Sequence, residues 1–294
     1  MEKQLDPQIR RFYDGGAATG EPDPSAPPVV VLERTEGMDP DDFRMMRRIA
    51  YLDRELGEIL VPTDPGAFTT DMTSVPSVFA WLVPRTGSHL PAALIHDGLV
   101  GSPPDAPTYL SKNGVDIDFE EANRIFRDAM ADTGTGLVRR WLMWTAVTLA
   151  VMIQGDSTWT SAQKWRWRIT AIGTLALLAL LGFWSTADLL DIHVPLIGGV
   201  PWMGEGALWS RLLTGACGAI IIPLVLAQAW GRFRVAGMVA GTMLALLLHV
   251  TIAVAALTLA YQGAEKLWAR APKVALVLLG LVLVGAVVVF VGAL

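Results

Sequence analysis

The sequence predicts a chain of two parts, a small α+β domain expected on the cytoplasmic side followed by an α-helical transmembrane bundle. Three observations lead there. Charge is segregated: residues 1–168 hold 17 of the 23 Lys and Arg and 24 of the 28 Asp and Glu, a balance of −7, whereas residues 169–294 hold ten charged groups in all. In the first part, short β-type runs alternate with stretches of helical period. In the second, four apolar runs at residues 169–187, 212–230, 235–260 and 274–294 are each long enough to cross the ~30 Å hydrocarbon core of a bilayer as a helix.

Taken in order, residues 1–28 are expected to form a flexible leader. Met1 to Asp14 is charged and lacks the apolar core of a secretory signal, and Gly15 to Pro28 is rich in Gly, Ala and Pro. The soluble domain spans residues 29–156. Val29 to Leu32 suits a short strand, Asp39 to Tyr51 is more helical, and Ile59 to Pro62 starts another extended piece. Phe68 to Pro76 crowds hydroxyls around Asp71, the pattern of an Asx or Ser/Thr turn. A competing reading makes Asp71 a metal or substrate ligand together with Asp97, since hard cations favour carboxylate oxygens. Phe79, Trp81, Leu82 and Val83 suit the core or the apolar rim of a cleft, and His89 suits a loop.

Leu90 to Leu99 predicts a helix with Pro91 in its first turn, where the missing N–H costs nothing, and Gly98 loosening its end. His96 and Asp97 then point about 100° apart and need separate partners. A second helix starts at Asp118 as N-cap, with Glu121 three residues on. Phe119, Ala122, Phe126 and Met130 form its buried stripe, and Asn123 falls within it. A buried amide must find a hydrogen bond, which the imidazole of His96 would satisfy; His96 is then either a buried structural histidine held by Asn123 or a carbonyl, or a catalytic or ligand residue with Asp97 and Asp71 as neighbours. Residues 101–114 form a Pro- and Gly-containing loop, and Leu137 to Ile153, with too short an apolar stretch to span, is a core helix.

Residues 157–168 are expected to be an interfacial linker, in which Trp159, Trp165, Arg166, Trp167 and Arg168 alternate rings and cations as the headgroup layer favours. Cations before the first span, with Arg232 and Arg234 after the second, outweigh Lys266, Arg270 and Lys273, which four spans would place outside, and predict a cytoplasmic N-terminal domain in the inner membrane of a bacterium. Gly237 and Gly241 make a small-xxx-small face for close helix approach, within or between chains. Pro223 suits a kink, and residues 198–202 an apolar outer loop resting on the membrane. His249 is the ionisable group near the middle of a span; it serves either a proton or ion path or a hydrogen bond to a neighbouring helix. The acidic domain lacks the clustered basic surface of a nucleic-acid partner, and Cys217, the single cysteine, excludes an intramolecular disulfide.

Three motifs carry a resemblance: Thr70-Asp71-Met72-Thr73-Ser74-Val75-Pro76, Ala92-Ala93-Leu94-Ile95-His96-Asp97, and Ala122-Asn123-Arg124-Ile125-Phe126-Arg127-Asp128-Ala129-Met130. In this order, and continuing through Val138-Arg139-Arg140-Trp141 to Ala146-Val147, they resemble the domain-of-unknown-function family 1353. That small domain occurs in bacteria, phages and prophages and has no agreed activity. The His-Asp helix is also similar to that of prokaryotic phospholipase A2. That likeness implies His96 as general base for water, Asp97 as calcium ligand and Asn123 as the group that orients His96. Asn123 stands where that family has Asp, and the glycine-rich calcium loop and paired cysteines are missing. An Asn accepts a hydrogen bond from imidazole but offers no full charge to the imidazolium.

The leading functional expectation is a membrane-anchored protein whose cytoplasmic domain binds a protein partner, with the helices as tether or membrane effector. The occurrence of the family suggests a phage-related or contractile injection apparatus as that partner. The alternative is a membrane-bound lipid or ester hydrolase using His96, with calcium as cofactor in that case alone. A third is a small channel or transporter using His249. The lipid bilayer is a partner in each, nucleic acid in none, and a homo-oligomer is compatible with all three.

Overall fold

In the computed structural model the described residues are 10–34, 42–72, 83–84, 86–101, 106–112, 114–156, 158–192 and 198–292. They divide into two compact units, one ending at Leu246 and the other taking the described residues from Leu247 onward.

The domain is built on two antiparallel sheets. In the first, β1 (Phe12–Asp14), β4 (Ile49–Asp53), β5 (Gly57–Val61) and β7 (Leu110–Ser111) lie in the order β1-β4-β5-β7. In the second, β3 (Phe43–Met45) lies between β2 (Leu32–Glu33) and β6 (Thr69–Thr70). The register Ile49↔Val61, Tyr51↔Ile59 puts four apolar residues on one face at the two-residue period of a strand. All four are fully buried. Helices α1 (Leu90–Val100) and α2 (Phe119–Asp132) pack on that face and against each other, joining it in a single core.

Several expectations change here. The leader is not free over its described part: Phe12 and Tyr13 are buried in β1, Phe12 pairs with Tyr51, and Arg10 Nη1 donates to Ser25 O over 2.8 Å. Two aromatic residues beside the open edge of β4 complete the sheet, an outcome local Gly and Pro content does not register. The segment expected to be helical up to Tyr51 is extended from Phe43, because Ile49 and Tyr51 answer partners on β5 rather than a helical face. Residues Val29 to Val31 precede the strand expected there, and β7 interrupts the expected loop. Phe79, Trp81 and Leu82 lie outside the described residues; Val83 is buried in the core.

Gly98 does not loosen α1, which continues to Val100. A Cβ on Gly98 would stand 2.2 Å from Val61 Cγ1, so its absence is what lets α1 lie directly on β5.

Beyond α2 the chain is helical: α3 (Leu137–Gln154), α4 (Ser161–Leu189), α5 (Leu208–Leu226), α6 (Arg234–Arg270) and α7 (Pro272–Gly292). Thr160 and Gln163 cap α4 reciprocally, so most of the expected linker is its first two turns. A 3₁₀ segment, Ala227–Phe233, joins α5 to α6 and is broken at Gly231, with φ 56 and ψ −118. By length and composition two helical segments among the described residues can cross a membrane, Ser161–Leu189 and Leu208–Arg270. The expected bundle of about four spans is thus reduced to two candidates. The second and third apolar runs fall in the one 63-residue stretch, and α7 has side chains described only in part.

The small-residue face of α6 is used within the chain: a Cβ at Gly237 would meet Trp230, and one at Gly241 would meet Pro223 and Leu178 at 2.9 and 3.0 Å. The loop 198–202 packs on helices as well. Trp184 Nε1 donates to Gly198 O over 3.0 Å, and Trp202 lies against Gly218.

Candidate functional site

α1 and α2 create the central polar feature of the domain. Pro91 lies in the first turn of α1, and Asp118 caps α2 by accepting from Glu121 N–H. Glu121 does not close the capping box; its carboxylate takes Arg124 instead, over 2.7 Å. With both helices fixed, His96 Nε2 lies 2.8 Å from Asn123 Oδ1. A carbonyl oxygen only accepts, so Nε2 carries the proton. The ring also packs on Phe126 with centroids 4.7 Å apart. Burial pushes the His96 pKa down to about 4, against the opposing effect of the Asn123 hydrogen bond, and holds the imidazole neutral.

Asp97 turns to the other side of α1, as the helical advance of one residue requires. Its Oδ2 accepts from Thr70 Oγ1 over 2.7 Å, and Thr70 Oγ1 in turn accepts from Met72 N–H over 2.9 Å. Burial pushes the Asp97 pKa up to about 7, and the negative charge of Asp71 adds to the rise while the Thr70 hydrogen bond opposes it. Asp71 and Asp97 are therefore electrostatic neighbours. Among the described residues no group of three or more His, Cys, Asp or Glu is arranged to hold a metal ion.

The turn expected at Asp71 uses Thr70 as its anchoring hydroxyl, and Met72 takes the left-handed conformation at φ 69. His89, expected in a loop, precedes α1 and is fully buried.

Sequence reasoning missed a second network. Arg124 grips the carboxylate of Asp53 with two hydrogen bonds, 2.8 and 3.2 Å, and also reaches Glu121 and Asp128. Arg54 grips Asp132 over 2.6 and 2.8 Å, and Tyr51 donates to the same carboxylate. The i,i+3 and i,i+4 spacing of Glu121, Arg124 and Asp128 is visible in the chain. The partner Asp53, 71 residues away, is not.

The aromatic-basic segment is divided by the fold. Trp159 and Trp167 are buried with Phe233 and Trp230 in a second apolar cluster, so they do not offer rings to a headgroup layer. Trp165 and Arg166 are exposed and Arg168 is half-buried, its guanidinium 5.1 Å from the Trp165 ring and its Nε donating to Ile153 O. Arg232 lies over Trp159, Trp167 and Phe233 at 5.4, 5.8 and 5.0 Å and pairs with Glu120 of α2 at 2.5 Å. The residues expected at an interface thus largely pin α4 and the 3₁₀ segment to the domain. His249 sits on α6 with its side chain exposed.

Residues 43–147 match the family described as Protein of unknown function (DUF1353). The match begins at β3, ends within α3 and includes His96, Asp97 and Asn123, which supports assigning this segment to that family. It covers just over a third of the chain. No curated protein and no solved structure matches the chain.

Proposed function

We propose that this is a multi-pass membrane protein whose N-terminal domain lies on the cytoplasmic side of a bacterial inner membrane and binds a protein partner, with the helices as its tether. One observation carries the reading. The apolar windows of the two candidate segments are only 11% and 6% buried. A core helix of a water-soluble protein would bury such a window, whereas Ile169, Ile172, Leu177, Leu180 and Phe183 all face outward from α4.

Division into four spans is supported by length. At 1.5 Å per residue α4, α5, α6 and α7 measure ~43, ~28, ~55 and ~31 Å, against a hydrocarbon core of ~30 Å. The break at Gly231 supports separate spans on either side of it. Orientation is supported by Lys164, Arg166 and Arg168 at the start of α4 and by Arg232 and Arg234 at the break, with Asp188 and Asp191 at the opposite end of α4.

A binding role for the domain is favoured over hydrolysis by the use already made of its polar groups. His96 Nε2 is taken by Asn123 and its ring is packed on Phe126, and Asp97 holds β6 through Thr70. Val29, Val31 and Leu110 provide exposed apolar contacts at the sheets. A phage-related or contractile injection apparatus as partner rests on where the resembling family occurs.

The reading is tested by expressing the full chain in bacteria, washing membranes at alkaline pH and probing spheroplasts with protease. Retention in the washed membrane with a protease-protected N-terminal domain is expected. A folded chain that stays in solution without detergent would overturn the anchor. Calcium-dependent release of fatty acid from lipid vesicles, abolished by His96→Ala, would replace binding with hydrolysis.

A further inference from the structure

α2 and α3 pack together but are patterned in opposite ways. α2 buries Ala122, Ile125, Phe126, Ala129 and Met130 and leaves Glu120, Arg127 and Asp128 on its partly exposed side, the order that water selects. α3 reverses it. Its buried residues include both of its threonines, Thr145 and Thr148, whose Oγ1 atoms have no hydrogen-bond partner among the described residues. Its outer side carries Val138, Leu142, Ala146, Leu149 and Ile153, at steps of three and four residues that make one continuous row. Val138 and Ala146 are exposed and the other three half-buried. From Trp141 to Ile153 the helix holds no charged residue. A helix that is apolar all round belongs in a protein interior or in lipid, and this row lies at the surface.

What covers the row follows from where it lies. Residues 155–160 turn the chain from α3 into α4, and the two helices pack together. Trp144 and Leu149 of α3 share an apolar cluster with Ala171 and Leu175 of α4. At the turn, Arg168 Nε donates to Ile153 O over 2.7 Å, and a Cβ on Gly155 would stand 2.9 Å from Lys164 Cδ. Ile153 is thus beside the last cation of α4 before its outward apolar face, which begins at Ile169 and Ile172. The outer row of α3 continues that face. Arg139 and Arg140 close the row at its other end. Apolar groups bracketed by cations complement one leaflet of a bilayer, acyl chains against the row and phosphates against the cations. The stretch from Trp141 to Ile153 is ~20 Å long as a helix, short of the ~30 Å hydrocarbon core, so α3 enters without crossing.

We propose that α3 is embedded in the cytoplasmic leaflet of the membrane, with Val138, Leu142, Ala146, Leu149 and Ile153 in contact with lipid acyl chains. The domain is thereby seated on the bilayer instead of held away from it by a linker. The inference rests on the membrane anchor proposed above.

The test uses the full chain with Cys217→Ser, carrying one new cysteine at a time, labelled with the environment-sensitive dye NBD and reconstituted in vesicles of phosphatidylcholine and phosphatidylglycerol. Ala146→Cys reports on the row, Leu180→Cys on the outward face of α4 and Val31→Cys on the sheets, all exposed positions. Nitroxide-bearing phosphatidylcholine is expected to quench the labels at Ala146 and Leu180 severalfold more than the label at Val31, and aqueous iodide to do the reverse. Ala150→Cys, one turn further along α3, repeats the measurement if Ala146→Cys does not fold. Quenching by lipid at Leu180 with an Ala146 label open to iodide would overturn the embedding and leave the anchor standing. No lipid quenching at either would overturn the anchor and the embedding with it. Oxidative cross-linking of unlabelled Ala146→Cys between chains, in place of lipid quenching, would assign the row to a second copy and likewise overturn the proposal.

Discussion

Leucine and isoleucine are used in opposite ways in the two regions of this chain. In α1, Leu94, Ile95 and Leu99 are at most 1% exposed, while Ile169, Leu177 and Leu180 of α4 are 64%, 42% and 66% exposed. The domain buries its apolar groups against two sheets and a partner helix, and its buried polar groups arrive in pairs, His96 with Asn123 and Asp53 with Arg124. The long helices leave an apolar surface outward over most of their length. The contrast teaches that apolar composition alone does not decide burial, and the uncovered apolar surface of the long helices is the feature on which the proposed membrane anchor rests.

Glycine substitution should break or sharpen this contrast most. Gly98→Ala puts a methyl 2.2 Å from buried Val61 and is expected to destabilise the domain by about 3 kcal/mol. Gly173→Ala in α4 meets nothing within 4 Å and should be neutral or stabilising by up to ~1 kcal/mol. Thermal unfolding of the two variants in detergent compares them directly, and equal losses would erase the distinction between close-packed and open helices.

A charge on the outward face comes next. Leu177→Asp should disfavour insertion by roughly 3 kcal/mol if α4 lies in lipid. In water the same exposed change should stay within about 0.5 kcal/mol. The membrane-retained fraction after alkaline washing separates the cases.

Within the domain, Asn123→Ala leaves buried His96 Nε2–H without its acceptor and should cost about 2 kcal/mol. Asn123→Asp would instead offer a charge to the imidazole, so an upward shift of the His96 pKa from about 4, followed by NMR titration, is expected.

Titration of α1 gives a further test. A folded-state pKa of about 4 for His96 makes the unfolded chain bind the extra proton, so this group removes stability as pH falls from 6.5 toward 4. Asp97 acts in the other direction. Its folded pKa of about 7 lies above the unfolded value, so the folded chain binds the extra proton and stability is gained as pH falls from 7 toward 3.8. Asp97→Asn should therefore stabilise the domain at pH 8 by about 1–2 kcal/mol, less at pH 5, and expose the His96 loss on further acidification. A variant whose stability runs parallel to the parent from pH 8 to 4 would contradict this assignment.

The smallest effect belongs to the joint between domain and helices. Arg232→Ala should cost about 1 kcal/mol, since the cation is half-exposed although it covers three rings and pairs with Glu120. Its fluorescence signature, a change at Trp159 and Trp167 without loss of helix content, checks the placement of Arg232.

The sequence by itself determined what depends on neighbours in the chain. Pro91 and the Asp118 cap start two helices, the apolar stripe of α2 puts Asn123 inside, and a buried amide calls for the imidazole of His96. Length and hydropathy likewise determined that the second part contains membrane-crossing candidates. Tertiary structure decided the rest because it turned on which distant segments meet. Phe12 became a strand through Tyr51, Gly98 owes its role to Val61, and Asp53 binds Arg124 across 71 residues. Trp159 and Trp167 carry the composition of a headgroup layer, yet they are buried because Phe233 and Arg232 return to cover them. Period and caps are local properties, whereas burial belongs to the whole packed chain.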